Sequence, residues 1–159
     1  MSGIPRLSAL SAIAAPSSVR PISENAVLDL LNDAVWAPND ENREPWRFVY
    51  AADPRALPDV PDSVEACLIV VAPLSPDPAK QIEDFAACCC LAENVRLLAL
   101  AQGWNATRTL ESWTRTSDRL SEWGIGDNER IAAVLELSPL AIEAASERQA
   151  ADSIRFDLF

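Results

Sequence analysis

The sequence contains no histidine, and among its 13 basic residues there is a single lysine, Lys80. Without histidine the chain lacks the commonest general base, the Ser-His and Cys-His nucleophile pairs, and most zinc and non-haem iron sites. Any chemistry it performs is therefore expected to come from a bound cofactor. Basic residues are outnumbered by 24 acidic ones, giving a formal charge of -11, so the field repels polyphosphate and excludes nucleic acid as a ready partner. A small anion held by a few arginines stays open. No apolar run approaches the roughly 18 residues that a membrane helix requires, so no membrane span is expected. The four cysteines include no Cys-x-x-Cys spacing, a pattern suited to a reduced, cytoplasmic protein.

What is present describes one ordinary domain: 159 residues, of which 49% are hydrophobic and 23% charged. Residues 1–17 read as an N-terminal arm with a short amphipathic helix, Ile4 to Ala15, stopped by Pro16; an export signal is the alternative. Ser23 is placed to cap a helix through Trp36, on which Val27, Leu28, Leu30, Leu31, Ala34 and Val35 recur at helical spacing. A polar loop, Asn39 to Glu44, precedes a strand over Pro45–Ala52, where Trp46, Phe48 and Tyr50 alternate with Arg47 and Val49. After a proline-containing loop, Asp53 to Asp62, the run Ala66–Ala72 reads as a strand buried on both faces.

A helix over Ala79–Gln102 follows, apolar on nearly every face beyond Phe85 and closed by Gly103. Helical segments are expected between Leu110 and Trp123, then a turn at Gly124–Asp127 and a third strand over Arg130–Leu137. The tail reads as a helix from Pro139 to Ala151 and an extended piece from Ile154 to Phe159. The interleaving predicts an α+β or α/β three-layer domain with a small mixed sheet packed on the long helix. Cys88, Cys89 and Cys90 are consecutive on that helix and so about 100° apart, which prevents their converging on a metal and favours buried small hydrophobes. Trp36 and Trp46 read as core or interface aromatics.

The segment Leu30 to Phe48 resembles the nitroreductase family, through Trp36-Ala37-Pro38, then Asn42, then Glu44-Pro45-Trp46-Arg47-Phe48. Ser18-Val19-Arg20 stands where that family ends its R-R-S-x-R flavin motif, and Gly124-Ile125 up to Leu137 is similar to the approach to its last sheet strand. The resemblance implies a three-layer α/β/α sandwich and a homodimer holding FMN at the subunit interface. NADH or NADPH would reduce it, and a nitro, quinone or related small molecule would reoxidise it. It further implies flavin contacts for Ser18, Arg20, Asn42 and Arg148, with the reaction at flavin N5 and no protein residue as catalyst. The long apolar helix would then form the dimer core.

Each assignment has a plainer alternative: a loop cap for Ser18 and Arg20, an Asx-turn for Asn42, a solvated helix charge for Arg148. The chain also departs from the family pattern. Pro16 and Ser17 replace its first two arginines, Asp40 and Glu41 occupy a loop usually built from small residues, and Glu44 replaces a glutamine. These departures motivate a rival expectation, a dimer that keeps the fold as a binding or structural module without flavin. A specialised flavin dehydrogenase that takes electrons from its own substrate is a third.

Overall fold

A computed structural model describes residues 20–140. The expected N-terminal helix, the extended piece at the C-terminus, nearly all of the expected tail helix, and Ser18 and Arg148 lie outside these residues. Within them the order is α1 (Glu24–Ala34), β1 (Arg47–Ala51), β2 (Ala66–Pro73), α2 (Pro78–Ala101), β3 (Trp104–Thr109), α3 (Ser117–Glu122) and β4 (Glu129–Pro139). One-turn 3₁₀ segments lie at Asp40–Asn42, Pro54–Ala56 and Ser112–Arg115.

Helix α1 begins where its cap predicts: the Ser23 hydroxyl accepts a hydrogen bond from the Ala26 N–H at 3.3 Å. Its buried side is Ala26, Val27, Leu30, Leu31 and Ala34; of the stripe expected from the sequence, Leu28 is instead exposed and Val35 half-buried. Helix α2 is capped by Asp77, whose carboxylate accepts from Ala79 N at 3.0 Å, and has Pro78 in its first turn, where a missing N–H costs nothing. It stops at Gly103, whose φ of 80° only glycine adopts without strain.

The four strands pair in the order β1-β2-β4-β3. All three pairings among the described residues are antiparallel, so the sheet is antiparallel there rather than mixed. Central strand β2 buries both faces. Leu68, Val70 and Ala72 join the cluster beneath α1 and α2, while Cys67, Ile69 and Val71 join a second cluster on the opposite face. That opposite cluster is closed by Trp113, Ile125, Leu57 and Val64, with Leu120 and Trp123 packed against it. Helices α1 and α2, the sheet, and this third layer of short helices and loops make the sandwich. A bulge between Val70 and Val71 places Ala132 and Ala133 of β4 in the same cluster, breaking the strict alternation.

Two expectations change. The strand over Arg130–Leu137 is the fourth, because Trp104–Thr109 forms an edge strand that sequence patterning does not reveal. Only Trp104 and Ala106 point inward from it, too few to register as an alternation. Pro139, expected to open a tail helix, instead ends β4 opposite Trp104. It stands at the strand terminus, where its missing N–H is tolerated.

Since α2 supplies much of the sheet's cover, Leu91→Ala should cost about 2–5 kcal/mol and Ser23→Ala about 1 kcal/mol, both read from urea unfolding midpoints. Equal losses would mean that α2 packs less tightly than its burial implies.

Candidate functional site

The segment from Arg20 to Trp46 runs antiparallel to α2 and is fastened to it at successive points. At the start, Arg20 N donates to Gln102 O at 3.3 Å, and the Trp104 indole N–H donates to the Arg20 carbonyl. Midway, the Asn94 amide donates to Ala34 O at 3.3 Å. Farther on, the Cys88 thiol donates to Pro45 O at 3.0 Å. Last, Arg43 Nη1 lies 2.9 Å from Asp84 Oδ1. Arg20 is thus anchored at the C-terminal end of α2 and the Asn42 loop near its N-terminal end. Eighteen residues of helix, from Asp84 to Gln102, separate the anchors by about 27 Å at a helical rise of about 1.5 Å per residue. A single chain does not bring Arg20 and Asn42 together.

Arg20 faces solvent, and its guanidinium meets Asp29 on α1 at 2.7 Å; the two side chains are 44% and 63% exposed. The sequence assigns Arg20 a loop cap or a cofactor contact; here its carbonyl is a fixed backbone anchor and its side chain an exposed cation. An ion pair this exposed contributes about 1 kcal/mol or less, so an anionic ligand can compete for the guanidinium.

The loop carrying Asn42 is unusual. Glu41, Asn42 and Glu44 have φ of 52°, 51° and 49°. A non-glycine residue there costs roughly 1–2 kcal/mol. The Asx-type bracing comes from Asn39: its Oδ1 accepts from Glu44 N at 2.9 Å and its Nδ2 donates to Ala37 O at 3.2 Å. Asn42 itself is exposed, and among the described residues its side-chain amide has no hydrogen-bond partner. Of the two readings of Asn42, the local turn brace is therefore taken by another asparagine. Trp36, at the end of α1, is 87% exposed, so it is not a core residue; Trp46 packs partly buried against the main cluster.

Arg43, Asn39 and Asp84 escape sequence reasoning. Arg43 sits in a string of polar residues, and nothing local distinguishes the carboxylate that matters from Glu83 beside it. The guanidinium is fully engaged: Nε donates to Asp40 O at 3.3 Å, and Nη2 reaches Asp40 Oδ2 at 3.2 Å and Glu83 Oε2 at 3.8 Å. The loop therefore presents Asp40, Glu41 and Glu44 with its one cation already claimed.

A second anchor orders the strand that follows. Arg47 Nη2 reaches Glu129 Oε2 at 2.6 Å and donates to Gly124 O at 3.0 Å, while Glu129 accepts from Gly126 N at 3.0 Å. The Arg47 hydrogen bond holds the Glu129 carboxyl below the usual carboxylate range. An open cleft of about 400 Å³ on the loop after β1, lined by Asp53, Arg55, Asp62 and Glu65 among others, includes neither Arg20 nor Asn42.

The cysteine triplet divides by position on the helix. Cys88 is buried, Cys89 half-buried and Cys90 exposed, so the expectation of three buried thiols holds for the first only. All four cysteines are free, and burial pushes Cys67 and Cys88 up to about 12. Among the described residues there is no cluster of three or more potential metal ligands, and no helix is long and apolar enough to cross a membrane.

No family model matches the chain. YfhC of Bacillus subtilis, named as a candidate NAD(P)H nitroreductase, is 27% identical over 146 residues, covering 73% of each protein. Among solved structures, a nitroreductase-like family protein from Bacillus cereus superposes with a TM-score of 0.76 at 20% identity, over 89% of this chain and 88% of that one. A nitroreductase with bound FMN from Bacteroides fragilis gives a TM-score of 0.66 at 16% identity, over 88% and 89%. The chain has the nitroreductase fold, and its sequence resembles a nitroreductase.

Two measurements check this geometry. Because Glu129 is held below its ordinary pKa of 4.5, its contact with Arg47 stabilises the fold above that pH and is lost as pH falls through the lowered value. Glu129→Gln should therefore remove about 1 kcal/mol or less at pH 7 and narrow its gap from wild type on acidification. Iodoacetamide at pH 8 should label Cys90 in the folded protein and spare Cys67 and Cys88 until denaturant is added, as peptide mass mapping would show.

Proposed function

We propose that this chain is an FMN-dependent oxidoreductase of nitroreductase type, acting as a cytoplasmic homodimer. The supporting observation is that, on a nitroreductase fold, the arginine and the asparagine to which the resemblance assigns flavin contacts are both exposed and lie at opposite ends of α2. Two copies running antiparallel along this helix would set Arg20 of one beside Asn42 of the other. Helix α2 leaves Ile82, Ala86, Cys90, Leu97 and Ala101 exposed along one side, interrupted by Glu93, which is paired with Arg96; a second copy would cover this side.

The exposed groups fit the ring end of a flavin: a guanidinium held by one surface carboxylate, and an amide with no partner among the described residues. When bound, FMN supplies the redox chemistry, taking hydride at N5 from NADH or NADPH and passing electrons to a nitro, quinone or related acceptor. The chain supplies binding and charge. Arg20 contributes the cation that favours an anionic reduced ring, and Asn42 can both donate and accept hydrogen bonds at the ring edge. The phosphate would fall to Ser18 and Arg148.

The second reading, a dimer that retains the fold without flavin, is favoured by the acidity of the Asn42 loop and by Pro16 in place of the phosphate-binding arginine. Titration with FMN, followed by flavin fluorescence and the visible spectrum, separates the two. Binding of one FMN per chain is expected, and no binding at excess FMN would overturn the enzymatic reading. Arg20→Ala should weaken retention more than Arg148→Ala; a reversed order would move the dominant cation to the tail. Ile82→Lys with Leu97→Asp should yield monomers by light scattering and lose FMN together with the dimer.

A further inference from the structure

Three left-handed, non-glycine residues within four positions do not hold their shape unless surrounding contacts over-determine it. The restraints from Asn39 to Glu44 and from Asp40 to Arg43 lie inside the loop and move with it. Asp84, 2% exposed, differs because it belongs to the buried side of α2. Its Oδ1 faces Arg43 Nη1 at 2.9 Å, yet that oxygen has no hydrogen bond of good geometry. The contact is one of charge. Glu83 lies farther from the guanidinium, at 3.8 Å, and is exposed, so it is a weaker tether. Arg130, the other arginine of this region, stacks 3.9 Å from the Phe85 ring centroid and donates to Gln81 O at 3.2 Å.

A carboxylate in this position is a poor way to stabilise a helix. Burying it forfeits hydration, and an apolar residue of similar volume packs the same space at less cost. What the charge adds is direction, since Arg43 must lie over α2 at this turn and no other. We propose that Asp84 is a positioning residue: through Arg43 it holds the 39–44 loop in its left-handed conformation and so presents the Asn42 amide to the flavin. Its ligand rests on the function proposed above; the anchoring of the loop does not.

Hydrogen exchange on the flavin-free protein reads the anchoring directly. In Asp84→Asn, peptides spanning 39–46 should exchange about tenfold faster than in wild type, while those from Leu91 to Ala99 keep their rates. Unchanged loop exchange, or acceleration spread equally over α2, would overturn the proposal. FMN titration of wild type, Asp84→Asn, Asn42→Ala and the double variant reads the action through Asn42. Asp84→Asn should raise the FMN Kd about tenfold in the wild-type background and scarcely at all once Asn42 is alanine. Additive effects would reduce Asp84 to a general stabiliser and defeat the proposal. If Asp84→Asn does not fold, Arg43→Gln breaks the same contact from the loop side and carries the same expectations. If wild type takes up no FMN, the flavin role falls with the function proposed above, and the exchange rates alone decide whether Asp84 anchors the loop.

Discussion

Helix α2 lies along one face of the sheet, with α1 beside it, and each nearby segment is placed by where it touches that helix. Its buried side, including Leu91, Ala92, Val95 and Ala99, forms the main core with Leu68 and Val70 of β2 and Leu135 and Leu137 of β4. The Arg20–Trp46 segment is then laid antiparallel along α2 by contacts at Gln102, Asn94, Cys88 and Asp84. Apolar burial provides the driving force, while the polar contacts, each of modest net energy, fix the register. Because the same helix orders both ends of that segment, its length sets the distance between Arg20 and Asn42.

That distance gives the proposed dimer a physical rationale. In that dimer one chain would present half of each site, and an antiparallel second copy would supply the other half while covering the exposed apolar residues of α2. The charge of -11 has a local counterpart in the Asn42 loop, where Asp40, Glu41 and Glu44 remain exposed after Arg43 is spent on Asp40, Glu83 and Asp84. Under the proposed function, an anionic reductant or acceptor approaching this loop would meet repulsion.

Legibility in the sequence followed the range of the forces involved. Ser23 and Gly103 act on their own helix ends, and the continuous apolar run of β2 reflects burial on both faces, so these elements could be read locally. Strand β3 could not, because it is an edge strand whose existence depends on pairing with β4 and which carries only two inward apolar residues. Of the two places expected for Trp36, core or interface, the first is removed for a related reason: hydrophobicity predicts a preference for burial, but the end of α1 turns this indole outward. The triplet of cysteines shows the same limit, since helical rotation divides three identical residues among buried, half-buried and exposed positions.

The sequence by itself determined the helix caps, the central strand, the absence of a histidine-based mechanism and the resemblance to nitroreductases, all carried by residue identity and near-neighbour spacing. Only the tertiary structure decided that Asn39 rather than Asn42 braces the loop, that Arg43 is claimed by a buried carboxylate 41 positions away, and that Arg20 and Asn42 stand apart. Those facts depend on which segments lie side by side after collapse. Charge and hydrogen bonding act over a few ångströms in space, without regard to separation along the chain.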